Sequence, residues 1–108
     1  MTNSSYIQLV SVQLKEGVDE KTLLETSDAF QRAFVSKQQG VLKRILMRAK
    51  HGGYADLVFF ESKEAADRVA AAERTSKECH QFFEIFQPPN EALPHMGVLS
   101  FEPLKTYE

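Results

Sequence analysis

Apolar and polar residues alternate along this chain with two different periods. Stretches in which apolar residues recur at every second position predict β-strands. We expect four strands, over residues 6–15, 41–50, 54–61 and about 95–102. Gly52 and Gly53, which follow His51, predict a hairpin turn between the second and third of these strands, because glycine tolerates positive φ.

A longer period of three to four residues marks the first of two helical regions. Apolar residues recur at this spacing from Leu23 to Phe34 and predict an amphipathic helix over residues 20–39. Asp19 is its expected N-cap. Gly40 follows at a position where glycine commonly ends a helix.

The second helical region is predicted between residue 63 and the prolines that begin at Pro88, since proline cannot donate the next helical hydrogen bond. Ser62 is its expected N-cap. Thr75 and Glu78 form a Thr-x-x-Glu capping box inside this region. We therefore expect the helix to break near Thr75 and to begin again.

The predicted element order is β-α-β-β-α-β, which indicates an α+β ferredoxin-like sandwich with both helices on one face of a four-stranded antiparallel sheet. In a two-layer monomer the other face would be polar. Here the first three strands carry apolar residues on both faces. In the first strand, for example, Ile7 and Leu9 point to one face and Val10 and Val12 to the other. We therefore expect this open face to pair with that of a second copy in a homodimer.

Length and composition narrow the class of protein. The 108 residues, 43% of them hydrophobic, predict a single domain over residues 1–108 with a flexible start at residues 1–5. A net charge of −2 argues against nucleic-acid binding. No apolar run approaches the ~20 residues of a membrane span. With one cysteine and no Cys/His cluster of zinc spacing, we expect no metal site and a cytoplasmic location.

Three segments of the chain resemble a known family. They are GVLKRIL at residues 40–46, the strand that runs into SKEAA at residues 62–66, and SKECHQFF at residues 76–83. These segments are similar to parts of the antibiotic-biosynthesis-monooxygenase-like family, in the dimeric α/β-barrel superfamily. The resemblance implies a ferredoxin-like fold that pairs with a second copy to form a homodimeric α/β barrel. Members of the family include cofactor-independent monooxygenases of polyketide quinols, haem-degrading enzymes and proteins without known activity.

The haem-degrading branch of that family matches this chain at one functional position. Its proximal histidine falls on or beside His80. Its strand asparagine falls at Val10, and its helix tryptophan falls at Val69 or Ala70. Because valine and alanine cannot do the chemistry of asparagine and tryptophan, we expect no haem and no other cofactor.

His80 is the expected catalytic residue. It lies one position from the apolar stripe of the second helical region, so its imidazole is expected to reach the cleft and act as a base toward a phenol or quinol. The alternative is a surface histidine without a role. The expected ligand pocket is built from apolar side chains, namely Val10, Val12, Phe30, Phe34, Val58, Phe60 and Phe83.

Two further residues are expected to have structural roles. Asp56 alternates with Val58 and Phe60, so it points inward, and we expect Arg44 or Arg48 on the paired strand to neutralise it. Cys79 lies on the apolar side of the helix and is expected to be a buried thiol.

Two functions remain open from the sequence. One is a cofactor-independent monooxygenase that acts on a small, flat aromatic or quinol-type molecule. The alternative is a non-catalytic protein that binds a small hydrophobic ligand or serves as a dimerisation module. A polar group directed into an apolar cavity would favour the enzyme, whereas a cleft filled with phenylalanine would favour the module.

Overall fold

The computed structural model describes residues 5–50, 52–88 and 97–108. Its elements are β1 (Tyr6–Val12), α1 (Glu20–Ala33), a 3-10 turn (Val35–Lys37), β2 (Val41–Arg48), β3 (Tyr54–Phe60), α2 (Lys63–Glu73), α3 (Lys77–Phe83) and β4 (Gly97–Phe101). The strands form one antiparallel sheet in the order β2-β3-β1-β4. The predicted ferredoxin-like architecture is confirmed. His51 and the expected start of the last strand at residue 95 lie outside the described residues.

The first helix is shorter than predicted, because it ends at Ala33 and not near residue 39. Its start is as expected, with the Asp19 carboxylate accepting a hydrogen bond from the Thr22 amide at 2.8 Å. After the helix, Phe34 and Val35 are both buried in the core. Phe34 leaves helical geometry, with φ −126° and ψ −61°, and the chain continues as the 3-10 turn.

The second helical region breaks where the capping box predicted, but at a different cap residue. Ser62 begins α2, its hydroxyl accepting a hydrogen bond from the Ala65 amide at 3.0 Å. Ser76, and not Thr75, caps α3, and its hydroxyl accepts from the Cys79 amide at 3.2 Å. The break therefore gives two helices in place of one kinked helix.

The helices cover one face of the sheet and form the core with it. The core residues are Leu23, Phe30, Phe34, Val35, Phe60, Ala65, Ala66, Val69, Cys79, Phe82 and Phe86. Cys79 is a free, fully buried thiol, and burial raises its pKa. No helix in the described parts of the chain is both long and apolar enough to cross a membrane.

The open face of the sheet carries apolar side chains in register across the strands. One row consists of Ile45, Leu57, Leu9 and Leu99. The next row consists of Lys43, Phe59, Ile7 and Phe101. At the β4 edge, Leu99 and Phe101 are 43% and 48% exposed. The open face, defined by these two rows, contains one charged residue, Lys43, whose ammonium lies 5.5 Å from the Phe59 ring centroid.

Gly40 holds the start of β2 against the start of α2. Its φ is +91°, and a Cβ built on it would lie 2.5 Å from the Cβ of Ala65. We expect Gly40→Ala to lower the free energy of unfolding by about 2–4 kcal/mol, through the positive φ and the clash together. Urea denaturation of the purified protein measures this loss.

Gly17→Ala is the matched control for that substitution. Gly17 also has a positive φ, +87°, but a Cβ there would meet nothing within 4 Å. In Gly17→Ala the free energy of unfolding should fall by only about 1–2 kcal/mol, because the positive φ is the one source of strain. Equal losses for the two variants would contradict a role for close packing at Gly40.

Candidate ligand cavity

A cavity of about 540 Å³ lies between the helices and the sheet. All seven residues expected from the sequence to form a pocket line it, namely Val10, Val12, Phe30, Phe34, Val58, Phe60 and Phe83. Phe83 and Val98, which also lines the cavity, are 43% and 60% exposed. The parts of the cavity lining that Phe83 and Val98 supply are therefore accessible to solvent.

Aromatic rings from two helices form one wall of the cavity. Phe30 of α1 stacks on Phe82 of α3, with ring centroids 4.5 Å apart and planes 10° apart. Phe34 also stacks on Phe30, with ring centroids 5.6 Å apart. The stacked rings of Phe30, Phe34 and Phe82 all line the cavity and give it an apolar aromatic wall.

A buried ion pair crosses the sheet side of the cavity. Nε of Arg44 lies 2.8 Å and 3.0 Å from the two carboxylate oxygens of Asp56. The guanidinium donates a further hydrogen bond to the Ser27 hydroxyl at 2.8 Å. The side chains of Arg44 and Asp56 are only 7% and 13% exposed. Each buried charge thus has a counter-charge close by.

The guanidinium of Arg44 also packs against the aromatic wall. Its central carbon lies 5.1 Å from the Phe30 centroid and 5.4 Å from the Phe82 centroid. A planar cation at this distance is attracted by the ring quadrupoles, more so where water is excluded. Arg44 therefore connects β2 to both α1 and α3.

Strand register leaves both Arg44 and Arg48 close to Asp56. Asp56 is opposite Leu46, so the two arginines flank it diagonally on the same face of the sheet. Arg44 makes the pair. Arg48 turns outward to Glu20 of α1, at 2.6 Å, with most of its side chain exposed.

Glu73, the last residue of α2, is a cavity residue that our sequence analysis missed. Burial raises the pKa of its carboxyl, and the Asp56 carboxylate raises it further. Burial also raises the pKa of Asp56, and the charge and hydrogen bonds of Arg44 offset only part of that rise. Helical spacing was the available signal, because Glu73 lies four residues after the buried Val69.

The structure does not place His80 in the cleft, where the sequence led us to expect it. His80 is exposed and does not line the cavity. With Ser76 as the cap, α3 turns Cys79 and Phe82 inward. His80 follows Cys79 by one residue, about 100° around the helix, and faces solvent. In residues 5–50, 52–88 and 97–108, no three acidic, histidine or cysteine side chains are grouped to hold a metal ion.

Comparison with solved structures finds this architecture in other proteins. A monooxygenase from the gene ActVA-Orf6 of Streptomyces coelicolor, in complex with nanaomycin D, has a TM-score of 0.71 and 14% identity, over 97% of this chain and 92% of that one. SnoaB, a cofactor-independent oxygenase from Streptomyces nogalater, has a TM-score of 0.64 and 16% identity, over 95% and 97%. This chain has the fold of these monooxygenases.

The same fold also occurs in a haem-type protein. A mutant of MhuD with two manganese protoporphyrin IX molecules per active site has a TM-score of 0.63 and 16% identity, over 95% of this chain and 98% of that one. No family model and no curated protein matches the sequence significantly. The fold implied by the sequence resemblance is thus confirmed, and at these identities the likeness reaches no further than the fold.

The Arg44–Asp56 pair gives a testable prediction on stability. Arg44→Met removes the cation and leaves the Asp56 carboxylate buried without a partner. We expect the free energy of unfolding to fall by about 3–5 kcal/mol at neutral pH. Without Arg44 the Asp56 pKa rises further, so the native state holds more protons than the unfolded state and stability falls as pH rises. The loss of unfolding free energy in Arg44→Met, relative to the wild type, should therefore be smaller at about pH 4 than at about pH 8.

Arg48→Met is the control for this prediction, because it removes an arginine from the same strand whose ion pair is exposed. It should leave the denaturation midpoint close to that of the wild type. Denaturant titrations at the two pH values measure both variants. Similar midpoints for the two variants would contradict the importance of the buried pair.

Proposed function

We propose that this protein binds a small, flat aromatic molecule of the quinol type in the cavity and oxidises it with molecular oxygen, without a bound cofactor. The observation that carries the proposal is the cavity itself. It has the size of a small-molecule site, with a stacked aromatic wall and a few polar groups directed into it. A non-catalytic packing module would be expected to fill this space with its own side chains.

The cavity suits the chemistry of such a reaction. When an anthrone reacts with oxygen, its CH₂ group becomes C=O: one oxygen atom becomes the new carbonyl oxygen, and the other leaves as water with the two hydrogens of the CH₂ group. The substrate supplies all the electrons, so no external reductant enters the balance. What remains for a protein is to remove a proton, to hold the ring and to exclude water. The fold shared with SnoaB, a cofactor-independent oxygenase, supports this choice.

Haem binding or degradation has less support than this proposal. Val10, Val69 and Ala70, at the positions matching the functional residues of the haem-degrading branch, line the cavity without a polar side-chain atom. His80, the one matching position, is exposed. The exposure of His80 instead favours the second candidate, a protein that binds a flat ligand without turning it over.

Oxygen consumption separates the enzyme from the binding protein. We expect the wild-type protein to consume one O₂ for each anthrone converted to anthraquinone. Ala70→Phe should slow this reaction by about tenfold or more, because Ala70 lines the cavity and the added ring occupies it. An oxygen electrode measures the consumption of O₂, and absorbance measures the formation of anthraquinone.

Ala71→Phe is the control variant, since Ala71 is the next residue of the same helix and is exposed like Ala70 but does not line the cavity. Its rate should equal that of the wild type. Saturable binding of anthrone without oxygen uptake would establish the non-catalytic alternative. Equal rates for both variants would mean that the reaction does not occur in this cavity.

We also propose that the open face pairs with the same face of a second copy. This face is apolar across four strands and carries Lys43 at its β2 end, so a charged partner would find almost no counter-charge. Each Å² of apolar area covered contributes roughly 25 cal/mol before association costs. The open face of a second copy is equally apolar, and its sheet has the same twist, so we expect the two faces to pack together.

Sedimentation tests the dimer. We expect the wild type to sediment as a dimer at micromolar concentration, and Leu99→Glu to weaken the dimer by at least about a hundredfold, because it buries a carboxylate in an apolar interface. Leu24→Glu is the control. Leu24 is 52% exposed on α1, so a charge there stays in solvent. A folded wild-type monomer, or an unchanged Leu99→Glu dimer, would contradict the proposal.

A further inference from the structure

Glu73 occupies a distinct place in the cavity. It ends α2, four residues after Val69 and three after Ala70, and all three residues line the cavity. The face of α2 that supplies the apolar lining thus also supplies one carboxyl group. Glu73 is half-buried, so its carboxyl is neither solvated like a surface glutamate nor sealed in the core.

The Glu73 carboxylate is free of protein partners within the part of the chain that the structure describes. No ion pair or side-chain hydrogen bond there involves it, whereas both oxygens of Asp56 are occupied by Arg44. Of the two carboxylates that line the cavity, Glu73 therefore has the oxygens available to accept a hydrogen bond from a ligand.

We propose that Glu73 accepts the hydroxyl proton of the bound molecule, and that its charge makes the cavity select hydroxylated over carboxylated aromatics. The assignment rests on the proposed function. It supplies the base that His80, on the exposed side of α3, does not. In the transfer, the O–H bond of the ligand breaks, a new O–H bond forms on Glu73, and the electron pair stays on the ligand oxygen as a phenolate-type anion.

The surroundings of Glu73 suit this role. Burial raises the pKa of the Glu73 carboxyl, and Asp56 on β3 raises it further, which makes Glu73 a stronger base than a glutamate in water. Among the residues that the structure describes, Arg44 on β2, which is bound to Asp56, also lines the cavity, and Cys79 on α3 interacts electrostatically with Glu73. Burial raises the pKa of Cys79, and Glu73 raises it further, so the thiol stays neutral.

Selectivity follows from the balance of charges that line the cavity. Arg44 is the one cation among the described lining residues, and Asp56 and Glu73 are two carboxylates. The excess negative charge repels a ligand carboxylate in a region of low dielectric constant. A ligand hydroxyl instead donates to Glu73, and a hydrogen bond to a charged acceptor is among the stronger ones in proteins.

Fluorescence binding of three naphthalene probes tests the assignment separately from turnover. The probes are β-naphthol, its methyl ether and β-naphthoate. For the wild type, we expect β-naphthol affinity to rise about tenfold as the pH is raised from about 4 to about 8 and Glu73 ionises. The methyl ether cannot donate a proton, so its affinity should not change with pH. Naphthoate should bind the wild type weakly at the higher pH.

Glu73→Gln keeps the size of the side chain and removes its charge. In this variant β-naphthol affinity should lose its pH dependence, naphthoate should bind about tenfold more tightly, and the methyl ether should bind as it does to the wild type. Oxidation of anthrone, whose enol tautomer carries the hydroxyl that Glu73 would deprotonate, should fall about a hundredfold, with partial recovery in Glu73→Asp. Glu64→Gln, which neutralises an exposed glutamate at the other end of α2, should behave as the wild type.

The outcomes distinguish the role of Glu73 from the function of the cavity. Wild-type binding of the probes, with the same pH dependence in Glu73→Gln, would overturn the assignment of Glu73 and leave the cavity as a ligand site. Failure of the wild type to bind any probe would overturn the ligand site and the assignment together. Loss of pH dependence in Glu73→Gln alone supports the assignment even where no oxygen is consumed.

Discussion

The burial of the Arg44 guanidinium is the constraint on which the rest of the site depends. A cation removed from water is costly unless its donors and its charge are satisfied. Here Asp56 supplies the counter-charge, Ser27 accepts a hydrogen bond, and the rings of Phe30 and Phe82 pack against the guanidinium. These partners come from β3, α1 and α3, so satisfying one charge fixes the position of three elements around the cavity.

That arrangement also determines the electrostatic environment of the Glu73 carboxyl. Because Arg44 is bound to Asp56, its positive charge does little for the second carboxyl, and Asp56 itself raises the Glu73 pKa. The Asp56 carboxylate is therefore held in an ion pair, whereas the Glu73 carboxyl has no side-chain partner among the described residues. A single arginine thus leaves the two acidic residues of the described cavity lining in different environments, because it bonds to both oxygens of Asp56 and to neither oxygen of Glu73.

The two faces of the sheet divide the remaining tasks. Side chains of successive strand residues point to opposite faces, so Val10 lines the cavity while its neighbour Leu9 lies in a row of the open face. A change in strand register by one residue would exchange these sets. The cavity and the proposed dimer surface therefore depend on the same cross-strand register, and neither could change its register independently of the other.

Local pattern in the sequence determined the element order, the helix starts at Asp19 and Ser62, and the seven apolar residues of the cavity, because period and capping are properties of neighbouring residues. Tertiary structure decided what depends on distant partners. Strand register places Arg44 and Arg48 equally near Asp56, and only the tertiary structure pairs Arg44 with Asp56 while Arg48 lies toward solvent and pairs with Glu20. The inward position of Glu73 and the outward position of His80 depended on how α2 and α3 each rotate against the core, since one residue of helix turns a side chain by about 100°.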